Sequence, residues 1–167
     1  MISTSRNLLS LLCVITLISA CGFHLRGDIE LSEDWQTLQL ITANPNGDLG
    51  RELATTLRVM GIELTDNAHI SIKLGSEQFE RRSVSVGAGA RANRYEIELA
   101  VEVSVYNDRG VELIKSTKLS VFKLMNHDPN NVVGEEEEIR MLRSEMRIEL
   151  VQRILRNFRS QLTNQEL

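Results

Sequence analysis

The chain has 167 residues, 42% apolar and 25% charged, which is room for one ordinary domain and too little for two. With 23 acids against 19 bases the formal net charge is −4, so whole-molecule electrostatics do not favour nucleic acid. Two prolines and ten glycines argue against a collagen-like or disordered chain.

Residues 1–20 read as a targeting signal. Arg6 supplies a weak positive start, and the apolar run from Leu8 to Ile18 is too short to span a bilayer. No second apolar stretch follows, so no transmembrane helix is expected. The segment ends in Ile18-Ser19-Ala20-Cys21, an aliphatic residue three before a cysteine with small residues between, which looks like the bacterial lipobox. Cys13 would leave with the signal, so Cys21 is the expected lipid attachment residue and the one mature thiol. Acylation would cap a thiol that is otherwise a liability in an oxidising compartment. Two or three acyl chains, at ~0.8 kcal/mol per buried methylene, would hold the chain to a membrane. The blander reading is an ordinary secretory signal with a cysteine just past its cut. Gly22 after the cysteine, rather than Asp, resembles the sorting pattern of lipoproteins sent to the outer membrane.

Residues 21–36 show no clean period and are expected to form a lipidated tether, with Trp35 packing at the edge of the core. Residues 37–163 form the expected single α+β domain, and 164–167 a short tail. Thr37 to Ile41 alternates weakly and makes a first strand. The Asn44-Pro45-Asn46-Gly47 cluster is a turn whose asparagines are placed to cap a helix over Asp48 to Met60, with Leu49, Leu53 and Leu57 on its inner face. Gly61 suits the left-handed residue after that helix. His69 to Leu74 begins a second strand that blurs after Gly75 and resumes at Val84 and Val86, before a hairpin tip at Gly87-Ala88-Gly89-Ala90.

Tyr95, Ile97, Leu99, Val101, Val103 and Val105 occupy every odd position, with Glu96, Glu98, Glu102 and Ser104 between them. This is a half-buried antiparallel strand. A three-residue loop, Asp108 to Gly110, returns the chain over Val111 to Phe122 with odd positions again apolar. That loop places Leu99 opposite Leu119, Val101 opposite Thr117 and Glu98 opposite Ser120. After a loop from Asn126 to Gly134, Glu135-Glu136-Glu137-Glu138 opens a long helix with a first turn of solvated acids. The order β-α-β-β-β-α predicts a two-layer α+β sandwich, two helices on one face of a four-stranded, mostly antiparallel sheet.

Catalytic machinery is not visible. His24, His69 and His127 stand apart, with no metal-binding spacing, so no metal or cofactor is expected. Gly87, Gly89 and Ala92 match a dinucleotide fingerprint, but a strand follows where a helix N-terminus is required. One charge feature stands out. Arg81, Arg82, Arg91 and Arg94 fall in a fourteen-residue window that contains no acid. Around the hairpin tip, four guanidiniums are candidates for binding phosphates, with Val84 and Val86 nearby for acyl chains. The alternative is that they simply solvate an exposed hairpin.

Taken together, the lipobox, the stretch Cys21-Gly22-Phe23-His24-Leu25-Arg26, Asn46-Gly47 before a helix ending Met60-Gly61-Ile62-Glu63-Leu64, the Tyr95 strand and the lead from Asn131 to Glu138 resemble the LptE family of lipopolysaccharide-assembly lipoproteins. The resemblance implies an outer-membrane lipoprotein, anchored through acylated Cys21, that plugs the lumen of the LptD β-barrel. It implies binding of lipopolysaccharide, help in assembling the barrel, delivery of lipopolysaccharide to the outer leaflet, and no catalysed step. Arg81, Arg82, Arg91 and Arg94 are the lipopolysaccharide-binding candidates. A different class stays open: a generic envelope lipoprotein serving as structural adaptor or chaperone without lipopolysaccharide contact.

Overall fold

Alternation over Tyr95 to Val105 makes one strand the axis of the sheet, and three other strands pair directly with it. The computed structural model describes residues 35–86, 92–126 and 132–163. The signal, Cys21, most of the expected tether, the hairpin tip with Arg91, and the tail lie outside the described residues. The elements are β1 (Thr37–Thr42), α1 (Asp48–Val59), β2 (Glu63–Leu64), β3 (Ile70–Leu74), β4 (Gln78–Val86), β5 (Ala92–Asn107), β6 (Glu112–Asn126) and α2 (Val132–Thr163).

The sheet has six strands, where four were expected. Glu63–Leu64 adds a two-residue strand parallel to β1. The expected second strand is two, β3 and β4, interrupted after Leu74. Both lie antiparallel along the same edge of β5, β3 on its C-terminal half (Ile72↔Val105) and β4 on its N-terminal half (Phe79↔Leu99). β1 lies parallel to β3, reached through α1, and β6 runs antiparallel along the opposite edge of β5. The two-layer α+β class stands.

One apolar core joins the layers. Leu49, Leu53 and Leu57 of α1 and Met146, Leu150, Val151, Ile154 and Phe158 of α2 meet Leu38, Ile72, Ile97, Leu99, Val101, Val103 and Val105 of the sheet. Trp35 is part of this core as well. Full burial of each such leucine or isoleucine is worth about 1.5–3 kcal/mol. α1 begins without the expected side-chain cap: Gly47 is its N-cap, and its amide donates to the Asn44 carbonyl at 2.9 Å. The helix ends as expected, with Gly61 at φ 82°. α2 starts three residues before the acidic run, so Glu135 is buried rather than solvated, while Glu136, Glu137 and Glu138 are exposed.

Gly110 is left-handed at φ 75°, and next to the turn Tyr106 faces Glu112, as loop parity requires. Two register shifts follow, so Leu99 faces Val121 rather than Leu119, Val101 faces Leu119 rather than Thr117, and Glu98 faces Phe122 rather than Ser120. Each shift turns the faces of β6 over, and the second undoes the first. Between them the even-numbered Ile114 is buried in place of Leu113; beyond them the odd-numbered Val121 and Met125 return to the core.

The joint between β3 and β4 is tied on two sides. Gly75 donates its amide to the Glu102 carbonyl at 2.8 Å, and a Cβ there would sit 3.2 Å from that same oxygen. Glu77 accepts from Arg143 Nε at 2.8 Å and from Arg147 Nε at 2.7 Å, and Arg147 also reaches Asp48 at 2.8 Å. Arg143 stacks on the Phe79 ring at 4.7 Å. Burial pushes the Glu77 carboxyl up, but the hydrogen bonds and charges of Arg147 and Arg143 outweigh it and hold the group below its ordinary value of 4.5. A depressed carboxylate stabilises the fold above its unfolded value, and that contribution fades as pH falls through the folded one. Glu77→Gln should therefore cost about 2 kcal/mol near neutrality, and the difference from wild type should shrink as pH drops below 4.5. Denaturant melts of both proteins across that range check it.

Candidate functional site

Toward one end of the sheet, β4, β5 and β6 form a three-stranded blade whose last row shared by all three strands is Ser85, Arg94 and Asn126. Alternation sends adjacent residues to opposite faces, and this divides the arginine cluster. Arg81 pairs with Ile97 in register and so lies on the core side. Its Nη1 donates to Glu135 Oε1 at 3.0 Å, and its guanidinium sits 4.5 Å from the centre of the Tyr95 ring. Arg82 is on the outer face, where Nη2 donates to Glu96 Oε1 at 2.8 Å. Arg94 shares that outer face, exposed and with no ion pair among the described residues. Arg91 lies outside the described residues.

The window without acids thus does not produce a cluster without acids. Carboxylates from β5 and α2 meet two of its arginines, and neither was visible as a neighbour in sequence. The Arg82–Glu96 pair is exposed, so it is worth at most about 1 kcal/mol and can be exchanged for another anion. Arg81 differs, because the Glu135 side chain it serves is only 10% exposed. Arg81 accordingly acts as a latch between blade and helix.

Val84 is exposed on β4, as expected; the side chain of Val86 lies outside the described residues. Two apolar residues were missed. Phe122 and Leu124 of β6 are 48% and 61% exposed on the outer face, opposite Glu98 and Glu96. Their signal was present: they are the large apolar residues at even positions of a strand whose neighbouring odd positions face the core. Glu98 is held by Lys118 at 3.6 Å.

Elsewhere, a cleft of about 280 Å³ opens between Asn44, Asp48, Gly75, Glu77, Arg143 and Arg147. Its arginines are consumed by Glu77 and Asp48, so it is a structural joint. His69 lies 3.0 Å from Asp108 on an exposed surface.

This α+β body is also the fold of several solved lipoproteins. The crystal structure of the rare lipoprotein B from Shewanella oneidensis superposes with a TM-score of 0.71 at 26% identity, covering 78% of this chain and 99% of that one. A minor lipoprotein from Acinetobacter baumannii shares the fold at a TM-score of 0.62 and 18% identity, covering 73% of this chain and 89% of that one. The class is that of the lipoprotein body domains. Within it, the family model LptE, lipopolysaccharide-assembly, matches residues 35–158, and the chain belongs to that family. The LPS-assembly lipoprotein LptE of Pectobacterium atrosepticum is 27% identical over 146 residues, 85% of this chain and 78% of the relative. That of Yersinia pestis is 28% identical over 158 residues, 90% and 74% respectively.

The two kinds of arginine are separable by stability. Arg81→Ala leaves a nearly buried carboxylate without its guanidinium and should cost about 1–2 kcal/mol. Arg94→Ala should stay within about 0.5 kcal/mol of wild type. Parallel urea titrations give both values, and equal costs would mean that the latch carries no load.

Proposed function

We propose that this chain is the acyl-anchored plug subunit of the lipopolysaccharide translocon. In this reading Cys21 carries the lipid that holds residues 21–36 at the inner surface of the outer membrane, and residues 37–163 seat in the lumen of an LptD-like β-barrel. The domain assists assembly of that barrel and contacts lipopolysaccharide on its way to the outer leaflet. It performs no covalent chemistry.

Membership in the lipopolysaccharide-assembly family, over nearly the whole folded domain, carries the reading. The blade adds physical support. Its distal row places Arg94 in solvent, one row past Glu96 on β5, and Arg82 stands on the same face one row back in an exposed pair. Guanidinium forks match phosphate oxygens geometrically, and each such charge-assisted bond is worth about 1.5–3 kcal/mol where water is partly excluded.

Affinity isolation of the full-length protein in mild detergent should bring down one large β-barrel, and the intact mass should carry acyl chains on Cys21. Recovery without a barrel would favour a generic envelope adaptor, and an unmodified Cys21 thiol would remove the anchor. Arg91→Ala combined with Arg94→Ala should keep the melting temperature and the barrel yet weaken lipopolysaccharide binding by roughly tenfold or more. Added salt should narrow the gap by screening the exposed contribution. Unchanged affinity at low salt would return both arginines to the role of solvating the hairpin.

A further inference from the structure

The outer face of the blade has a polarity that the arginines alone do not explain. Three rows cross it: the tip row Arg94–Asn126 at the far end, then Arg82–Glu96–Leu124, then Glu80–Glu98–Phe122. Same-face rows along a strand are about 7 Å apart, and neighbouring strands are about 5 Å apart. The tip row holds a cation and no acid. In the next rows Glu96 is tied to Arg82 and Glu98 to Lys118. Glu80, on β4, is the farthest of these acids from the apolar side chains, and it bounds the region where an anion can sit. Leu124 and Phe122 therefore form an apolar track on β6 that starts beside the tip cation and runs toward the body.

Two large apolar side chains left in solvent on an outer strand promote association unless something covers them. A wholly apolar partner surface would leave Arg94 unmatched, and a hydrophilic anion would leave Leu124 and Phe122 wet. A molecule with a phosphorylated head and an acyl chain satisfies both, with the head at Arg94 and Arg82 and the chain over Leu124 and Phe122. We infer that the outer face of the blade is a two-part subsite for such an anionic acyl lipid, in which Phe122 and Leu124 contact the chain. The inference deepens the lipopolysaccharide reading and rests on it.

The test uses the full-length acylated protein in nonionic detergent. Binding of lipopolysaccharide and of its chemically deacylated phosphosugar is measured side by side. Threonine keeps strand propensity, so Phe122→Thr combined with Leu124→Thr should melt like wild type. If the pair does not fold, each single variant replaces it. The double variant should bind lipopolysaccharide roughly tenfold more weakly, or worse, and the deacylated phosphosugar as well as wild type does. Arg94→Gln should weaken both ligands. Full lipopolysaccharide affinity in the double variant, with wild type binding normally, overturns the acyl track and leaves the broader reading standing. Loss of the barrel partner at full lipid affinity also overturns it, by making the track a protein-docking surface. A wild type that binds neither ligand takes down lipopolysaccharide binding itself, and the subsite with it.

Discussion

Glu77 sits where a single long strand becomes two, and the rest of the domain is arranged around how that joint is held. β3 and β4 can share one edge of β5 only because the chain between them is fixed against both layers. Gly75 fastens it to the β5 backbone, where a side chain would crowd the Glu102 carbonyl. Glu77 fastens it to α2 through Arg143 and Arg147, and Arg147 extends the link to the start of α1 through Asp48. One carboxylate thus connects the sheet with both helices. The pair is only partly shielded from water, so its attraction is strong enough to orient the elements without the full desolvation cost of a deeply buried charge.

What extends past that joint is shaped by an imbalance of layers. Among the described residues both helices pack on one face of the sheet, and the outer face of the blade formed by β4, β5 and β6 carries the exposed Arg94, Phe122 and Leu124. On the covered side the blade ends in the Arg81–Glu135 pair and the Tyr95 ring, which tie it to the first turn of α2. On the outer face no described residue stands over Arg94, Leu124 or Phe122 in the same way. The helix-covered face supplies stability, and the outer face of the blade supplies the surface on which the proposed lipid contacts depend. Carboxylates on β5 keep that face close to neutral except at its tip. The proposed phosphate contacts accordingly lie at the end of the blade, where Arg94 stands.

The sequence by itself determined the signals that depend on near neighbours. The odd-numbered alternation of β5, the leucine spacing of α1, and the left-handed glycines at positions 61 and 110 are set by local sterics and by the 2.0 and 3.6 residue periods. The family resemblance was legible for the same reason, since it rests on contiguous motifs and their order. Tertiary structure alone decided what pairs across distance. Which register follows two shifts in β6, which acid meets which arginine, and which of two adjacent arginines turns inward depend on contacts between residues tens of positions apart. Arg81 and Arg82 are neighbours in sequence with the same charge, yet the pleat places one against Glu135, 54 residues away, and the other in water beside Glu96. No local period encodes such a partner, because a long-range pair forms only when the packing of a sheet against a helix brings the two side chains together.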